Sequence, residues 1–102
     1  MTWPVSIHAE ARAELREAIA WYEREVEGLG AQFHAEVAHA MARVRALPGT
    51  GTPVPGVDTQ TRVRRVLLSR FPYSIVFRVD DERLVVLAFA HSSRAPAYWA
   101  SR

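Results

Sequence analysis

The 102-residue chain contains 13 basic and 11 acidic side chains, four histidines and no cysteine. This length suits one compact domain, residues 1–102, and a hydrophobic content of 49% excludes a chain that is disordered throughout. The lack of cysteine excludes disulfides and thiolate chemistry, and the N-terminus has no apolar run as long as a signal peptide or membrane span. We therefore expect a cytoplasmic protein that does not enter a membrane.

The charge is unevenly distributed along the chain. Every basic residue is an arginine. Residues 1–47 carry five Arg and seven Glu, a balance of −2, whereas residues 48–102 carry eight Arg and four acids, a balance of +4. Because guanidinium groups suit phosphates and carboxylates, we expect Arg62, Arg64 and Arg65 to contact an anionic partner. Alternatively, these arginines only solvate the faces of a strand.

The first predicted elements are a strand and a helix. The β-branched segment 3–8 predicts an edge strand, because Pro4 limits its pairing. Glu10 and Glu14 follow in positions that suit the positive end of a helix dipole, and Gly28 predicts a left-handed residue at the end of that helix. The apolar face of the helix has the spacing of one helical stripe and consists of Ala11, Leu15, Ala18, Ile19, Tyr22 and Val26.

A second helix and a long loop come next. The apolar face of this helix consists of Phe33, Val37, Ala40, Met41, Val44 and Leu47. The connection between the two helices is short, which predicts an antiparallel helical hairpin. Residues 48–61 contain three Pro and three Gly without any periodicity, and this composition is typical of a surface loop.

The remaining residues predict a three-strand antiparallel meander. Its strands are residues 62–68, 73–79 and 84–90, and the acidic segment 80–83 forms the hairpin turn between the last two. The third strand is apolar on both faces, which indicates an interior position in the sheet. Residues 96–102 form a short C-terminal helix or a tail. The fold class is therefore α+β, with both helices on one face of the sheet.

The order of these segments resembles that of a known superfamily. "EARAELREAIAWYE" and "GLGAQF" are similar to the helical hairpin of the RelE/ParE superfamily of toxins, also described as plasmid stabilisation proteins. The likeness continues in "VRRVLLSRFPYSIVFRVDDERLVVLAFAHSSRAPAYWASR" and covers nearly the whole chain. It includes Arg64, Arg65, Phe71, Pro72, Tyr73, His91, Arg94, Pro96, Tyr98 and Trp99.

This resemblance implies the toxin of a type II toxin–antitoxin system, held in a hetero-oligomer by an antitoxin encoded nearby. ParE-like members poison DNA gyrase, whereas RelE-like members cut messenger RNA on the ribosome and tend to be strongly basic, with lysines around the RNA. Because this chain has no lysine and a net charge of only +2, we expect a ParE-like toxin that binds its target and needs no cofactor. The alternatives are a RelE-like endoribonuclease and an inactive member that only binds the antitoxin.

RNA cleavage without a metal would need a base, an acid and a cation over the phosphate. The candidates for proton transfer are His91 and Tyr98, and the candidates for the phosphate are Arg65 and Arg94. Each of these residues also has a structural interpretation. His91 alternatively caps the core at the end of a strand, Arg94 fixes the tail to the sheet, and Tyr98 packs the terminus.

Two further observations concern partners and metals. Trp21 lies about 120° around the first helix from Leu15, so it is either an exposed anchor for a partner or a contact of the second helix. The four histidines do not have the spacing of a zinc site. His34 and His39 are five residues apart and point to different sides of their helix, so we expect no metal site.

Overall fold

In the computed structural model, which describes residues 2–102, a helical hairpin packs on one face of a five-stranded sheet. The elements are β1 Val5–Ile7, α1 Ala9–Glu25, α2 Leu29–Ala46, β2 Thr52–Pro53, β3 Val63–Leu67, β4 Tyr73–Asp80 and β5 Arg83–His91. The strand order is β1-β5-β4-β3-β2. This arrangement confirms the predicted α+β class with an N-terminal strand, a helical hairpin and a meander.

The sheet extends beyond the predicted meander at both edges. β3, β4 and β5 pair antiparallel with one another, as predicted. β1 adds an edge strand that is parallel to β5, with Val5 opposite Leu84. β2 pairs with β3 at the other edge, where Thr52 is opposite Arg65. This short strand lies in the segment that we predicted as loop. Two paired residues, of which one is a proline, leave no periodicity in the sequence that could reveal a strand.

The β4–β5 hairpin has a two-residue turn at the predicted position. Asp81 and Glu82 have φ of 40° and 64°, and the flanking residues Asp80 and Arg83 are opposite each other. Positive φ at both central residues matches the twist of the strands, which is why such turns close tight hairpins.

The helical hairpin depends on two glycines. Gly28 has the predicted left-handed conformation, with φ of 86°, but it caps the start of α2, while Val26 ends α1. The Glu23 carboxylate accepts hydrogen bonds from the backbone N–H groups of Gly28 at 2.8 Å and of Gly30 at 3.0 Å. A Cβ at Gly30 would lie 2.6 Å from the carbonyl oxygen of Ile19, so a side chain here would force the helices apart.

The sheet is covered on both faces. The core between the helices and the sheet contains Ala11, Ala18, Tyr22, Phe33, Val37, Ala40, Leu68, Phe71, Ile75, Val86 and Phe89. The opposite face packs against Trp99, which is only 5% exposed. The C-terminal segment is therefore a docked tail, and it consists of consecutive turns such as the bond from Arg102 N–H to the Trp99 carbonyl. No helix within residues 2–102 combines the length and hydrophobicity needed to cross a bilayer.

Candidate functional site

β1 covers only the first part of the edge of β5. Ile7 is opposite Val86, and the His8 backbone N–H donates to the Val86 carbonyl at 2.9 Å just before α1 begins. A β-bulge follows at once, because the β4 partners of Val86 and Ala88 are consecutive residues and Leu87 has no opposite residue. The second part of this edge therefore needs other hydrogen-bond partners.

Two side chains distant in sequence supply those partners. Arg102 Nη1 donates to the Leu87 carbonyl at 3.0 Å, and the Phe89 backbone N–H donates to Glu14 Oε1 at 3.1 Å. One of these side chains comes from α1 and the other from the last residue of the tail. The end of β5 is thus held between the helical hairpin and the C-terminus.

The two side chains belong to a larger group, which we call the Glu14 cluster and which consists of Glu14, Arg94, Tyr98 and Arg102. The Tyr98 hydroxyl donates to Glu14 Oε2 at 2.6 Å, and Arg102 donates to both oxygens of Glu14, at 2.9 and 3.1 Å. The Arg94 guanidinium lies 3.9 Å from the centroid of the Tyr98 ring, and its Nη1 is 4.0 Å from Glu14 Oε2. The Glu14 and Arg102 side chains are only 14% and 9% exposed, so water screens this two-pronged ion pair weakly.

The pKa values of Tyr98 and Arg102 in the Glu14 cluster are both raised. Burial, and then the hydrogen bond to Glu14, raise the pKa of Tyr98 far above its ordinary value, while the two arginines oppose this shift. The hydrogen bond to Glu14 also raises the pKa of Arg102, against the effect of burial. Near neutral pH, Tyr98 is therefore a neutral hydrogen-bond donor and Arg102 is a cation.

We expect the free energy of unfolding to fall as the pH rises above 10. In the unfolded chain Tyr98 loses its proton near the ordinary pKa of 10.0, whereas the fold retains that proton to higher pH. This contribution is complete below pH 10 and is lost as the pH rises through the raised pKa. Burial raises the pKa of Tyr22 and Tyr73 as well, and their contributions have the same sign.

Denaturant unfolding of the wild type and of Tyr98→Phe, at neutral and at strongly alkaline pH, measures this effect. The Phe variant should be less stable at neutral pH and should lose less stability on alkalinisation. The contribution of Tyr98 is absent if both proteins lose the same amount.

His91 ends β5 and makes its hydrogen bonds with a close neighbour in sequence. Its Nδ1 accepts the Ser93 backbone N–H at 3.0 Å and lies 2.8 Å from Ser93 Oγ. Because a backbone N–H can only donate, the neutral ring carries its proton on Nε2. The ring also contacts Tyr73 edge-on, with centroids 5.1 Å apart. Among residues 2–102, no carboxylate hydrogen-bonds to this imidazole.

The three arginines predicted to contact a partner do not form one cluster. Arg64 Nε donates to the Gly51 carbonyl at 2.9 Å, and Arg64 lines a surface cavity of about 430 Å³ together with Arg62. Arg65 is on the opposite face of β3, because successive side chains of a strand alternate. There it lines a second cavity, of about 260 Å³, that also includes Arg94. The structure therefore places Arg65 with the tail and separates it from the other two.

Trp21 is half exposed and borders two neighbouring depressions. It is 50% exposed and contacts Tyr22 edge-to-face, with centroids 5.1 Å apart. The larger depression has a volume of about 520 Å³ and is also lined by His91, Arg94 and Glu14. The smaller one, of about 360 Å³, includes Trp21 and His91 as well. We call the two together the Trp21 groove, and it joins the predicted anchor to the end of β5.

The role of Glu14 as the acceptor of hydrogen bonds from Phe89, Tyr98 and Arg102 was not predicted from the sequence. Arg102 was not singled out either. We placed Glu14 at the positive end of the helix dipole, and this was wrong, since only Glu10 lies in the first turn of α1. A signal for its true role was present. Glu14 comes three residues after Ala11 and four before Ala18, which are 0% and 4% exposed, so it lies on the buried stripe of the helix. No comparable signal marked Arg102.

The described residues are better suited to recognition than to metal binding or proton transfer. Within residues 2–102, no three His, Asp or Glu side chains are grouped so that they could hold a metal ion. Tyr98 and Glu14, which could move protons, are hydrogen-bonded to each other. Trp21 and Arg65, by contrast, border open cavities from which a partner could reach them.

Comparison with known proteins identifies relatives of this arrangement. Residues 5–96 match the family model described as "ParE toxin of type II toxin-antitoxin system, parDE". No curated protein sequence matches the chain. Among solved structures, a chain of the "Chromosomal ParDE TA system from P. aeruginosa" is 18% identical, with a TM-score of 0.70 over 88% of this chain and 96% of that one. At this identity the likeness shows a shared fold.

Proposed function

Since the family match spans residues 5–96, the chain belongs to the family of ParE toxins of type II toxin–antitoxin systems, and we propose that it arrests growth by binding an essential target, DNA gyrase. Its partner in the cytoplasm is the cognate antitoxin, with which it forms a hetero-oligomer. The name of the structural neighbour, a ParDE system, agrees with a partnership of this kind.

A binding mechanism is supported mainly by the contacts of Tyr98, Arg94 and His91, the side chains that RNA cleavage would use. Tyr98 gives its hydroxyl proton to a hydrogen bond with Glu14, and its raised pKa makes it a poor acid near neutral pH. Arg94 stacks on the same ring. Of the two candidates for proton transfer, His91 keeps one ring nitrogen, Nε2, outside its hydrogen bonds with Ser93. A single imidazole without an orienting acid is a weak basis for acid–base catalysis.

The surface offers features of a binding protein. The exposed Trp21 is of the residue type that most often dominates the energy of an interface, and the adjoining groove provides room for a partner's side chains. The chain also lacks the lysines that RelE-like members carry around the RNA, and its net charge is only +2. These features favour inhibition by contact over an endoribonuclease.

Three assays test the proposal. Expression of the chain alone should stop bacterial growth, and co-expression of the antitoxin encoded beside it should restore growth. The purified chain should inhibit supercoiling by gyrase and should leave ribosome-bound messenger RNA intact.

His91→Ala should lower stability by about 1–2 kcal/mol, through the loss of its bonds with Ser93, without creating or removing any cleavage of RNA.

Two results would reverse the proposal. Ribosome-dependent cleavage by the wild type that is lost in His91→Ala would identify a RelE-like endoribonuclease. Normal growth during verified expression of the folded chain would identify an inactive member that only binds the antitoxin.

A further inference from the structure

Arg65 lies in a cavity between the sheet and the C-terminal tail, which we call the tail cavity. The cavity has a volume of about 260 Å³, and its walls include Pro55 and Val76 on one side and Pro96 and Trp99 on the other. None of its lining residues is acidic. The tail cavity is thus a small pocket of mixed polar and apolar lining, with Arg65 in its wall.

Arg65 differs from the other half-buried arginines of the described chain in having no partner. Arg64 donates to the Gly51 carbonyl, Arg78 donates to Asp80, and Arg102 donates to Glu14, each through a bond of 2.9 Å. The Nε of Arg65 is buried and finds no acceptor within residues 2–102. A buried donor without an acceptor lowers the stability of a fold, so an acceptor supplied by another molecule would be bound favourably.

We propose that the tail cavity receives a carboxylate side chain of the antitoxin and that Arg65 is its ligand. The inference rests on the proposed function for the existence of this partner, and it adds the chemistry of the contact. Because the Nε of Arg65 is buried in the free chain, the side chain would turn towards the cavity on binding and donate from Nε and a terminal nitrogen to the two carboxylate oxygens, in the side-on geometry in which a guanidinium fork binds a carboxylate.

Charge and shape favour a carboxylate over a phosphate. Arg94 also lines the tail cavity, but its guanidinium stacks on Tyr98 and lies 4.0 Å from Glu14, and the carboxylates of Glu10 and Glu14 together balance Arg94 and Arg102. One uncompensated cation, Arg65, matches a singly charged carboxylate. A nucleic-acid strand needs a succession of cations along its phosphates, whereas a small pocket with mixed polar and apolar walls suits one side chain of a peptide.

The contact can be measured on the isolated chain. The Arg Nε–H signals of the ¹⁵N-labelled protein are followed by NMR during titration with a blocked glutamate, N-acetyl-glutamate N-methylamide. The signal that disappears in Arg65→Gln is that of Arg65. It should shift and saturate in the millimolar range with the blocked glutamate and stay in place with the blocked glutamine of the same size. Dimethyl phosphate and inorganic phosphate are the competing probes.

The antitoxin encoded beside the chain provides the second measurement. Arg65→Gln should weaken its binding by about 30-fold, since truncating one member of a buried charge pair has effects of this size. Arg43→Gln, at an exposed arginine of α2, should leave the affinity unchanged. The melting temperature of Arg65→Gln should equal that of the wild type, because Arg65 has no partner in the free chain to lose.

Three outcomes would overturn the inference. The blocked glutamine could shift the Arg65 signal as much as the blocked glutamate does, or a phosphate could bind more tightly than the carboxylate. Antitoxin affinity could also be the same for Arg65→Gln and the wild type. A chain that fails to arrest growth but shows both expected effects would contradict the proposed toxicity and leave the carboxylate site supported.

Discussion

Glu14→Gln is expected to lower the free energy of unfolding by about 3 kcal/mol and the melting temperature by roughly 12–24 °C. The carboxylate accepts hydrogen bonds from Tyr98, from two nitrogens of Arg102 and from the backbone of Phe89. A glutamine retains one acceptor oxygen and turns an NH₂ group towards these donors. Arg102, with only 9% of its side chain exposed, would then keep an ion pair only with the exposed Glu10, at 3.0 Å.

Thermal and denaturant unfolding measure this change, and α1 offers a matched control. Glu17 is on the same helix but is exposed, so Glu17→Gln removes the same charge without removing a buried hydrogen bond. A double-mutant cycle with Arg102→Met isolates the pair, and its coupling energy should be a large part of the loss. Equal melting temperatures for Glu14→Gln and Glu17→Gln would show that the cluster does not fix the tail.

Periodic segments of the sequence predicted the fold well. The apolar stripes of both helices and the alternation in β4 reflect burial on one face, which a sequence records directly. The interior position of β5 followed from its two apolar faces. The left-handed conformation of Gly28 followed from its residue type. The parallel pairing of β1 with β5 was not predicted, because the register between Val5 and Leu84 depends on which edge of the sheet remains open after the meander forms.

The candidate site was less predictable, since its contacts join distant parts of the chain. The bonds from Tyr98 and Arg102 to Glu14 span 84 and 88 residues, and no local pattern encodes them. The edge of β5 stays open beyond Ile7, where β1 ends, and there the Phe89 N–H and the Leu87 carbonyl bond to Glu14 and Arg102. Alternation alone, by contrast, could have shown from the sequence that Arg64 and Arg65 point to opposite faces.

The end of β5 links stability to the proposed function. Glu14 and Arg94, two members of the Glu14 cluster, are also walls of the Trp21 groove, so the cluster that fixes the tail shapes one border of that groove. His91 borders both this groove and the tail cavity. A substitution in the Glu14 cluster is therefore expected to change the shape of the Trp21 groove as well as the stability of the fold. Binding of a partner is better tested at a groove residue that contributes little to the core.

Trp21→Ala is such a substitution, and we expect it to weaken inhibition of gyrase by about 30-fold or more while the fold remains intact. Trp21 is 50% exposed, and its indole ring packs edge-to-face against Tyr22. Losing that pair lowers stability by about 1 kcal/mol, whereas removing a tryptophan at the centre of an interface lowers binding by about 2 kcal/mol or more. The effect on binding should thus exceed the effect on stability.

Supercoiling assays across a range of toxin concentrations, together with melting temperatures, compare Trp21→Ala with the wild type. Leu67→Ala is the matched control, because Leu67 is a large apolar residue that is 60% exposed and lies on β3, away from the groove. This control should inhibit gyrase like the wild type. If Trp21→Ala is as potent as the control, the groove does not contact gyrase. If its potency falls only in proportion to the folded fraction, Trp21 is a packing residue, because an interface anchor acts on the complex and leaves the free chain folded.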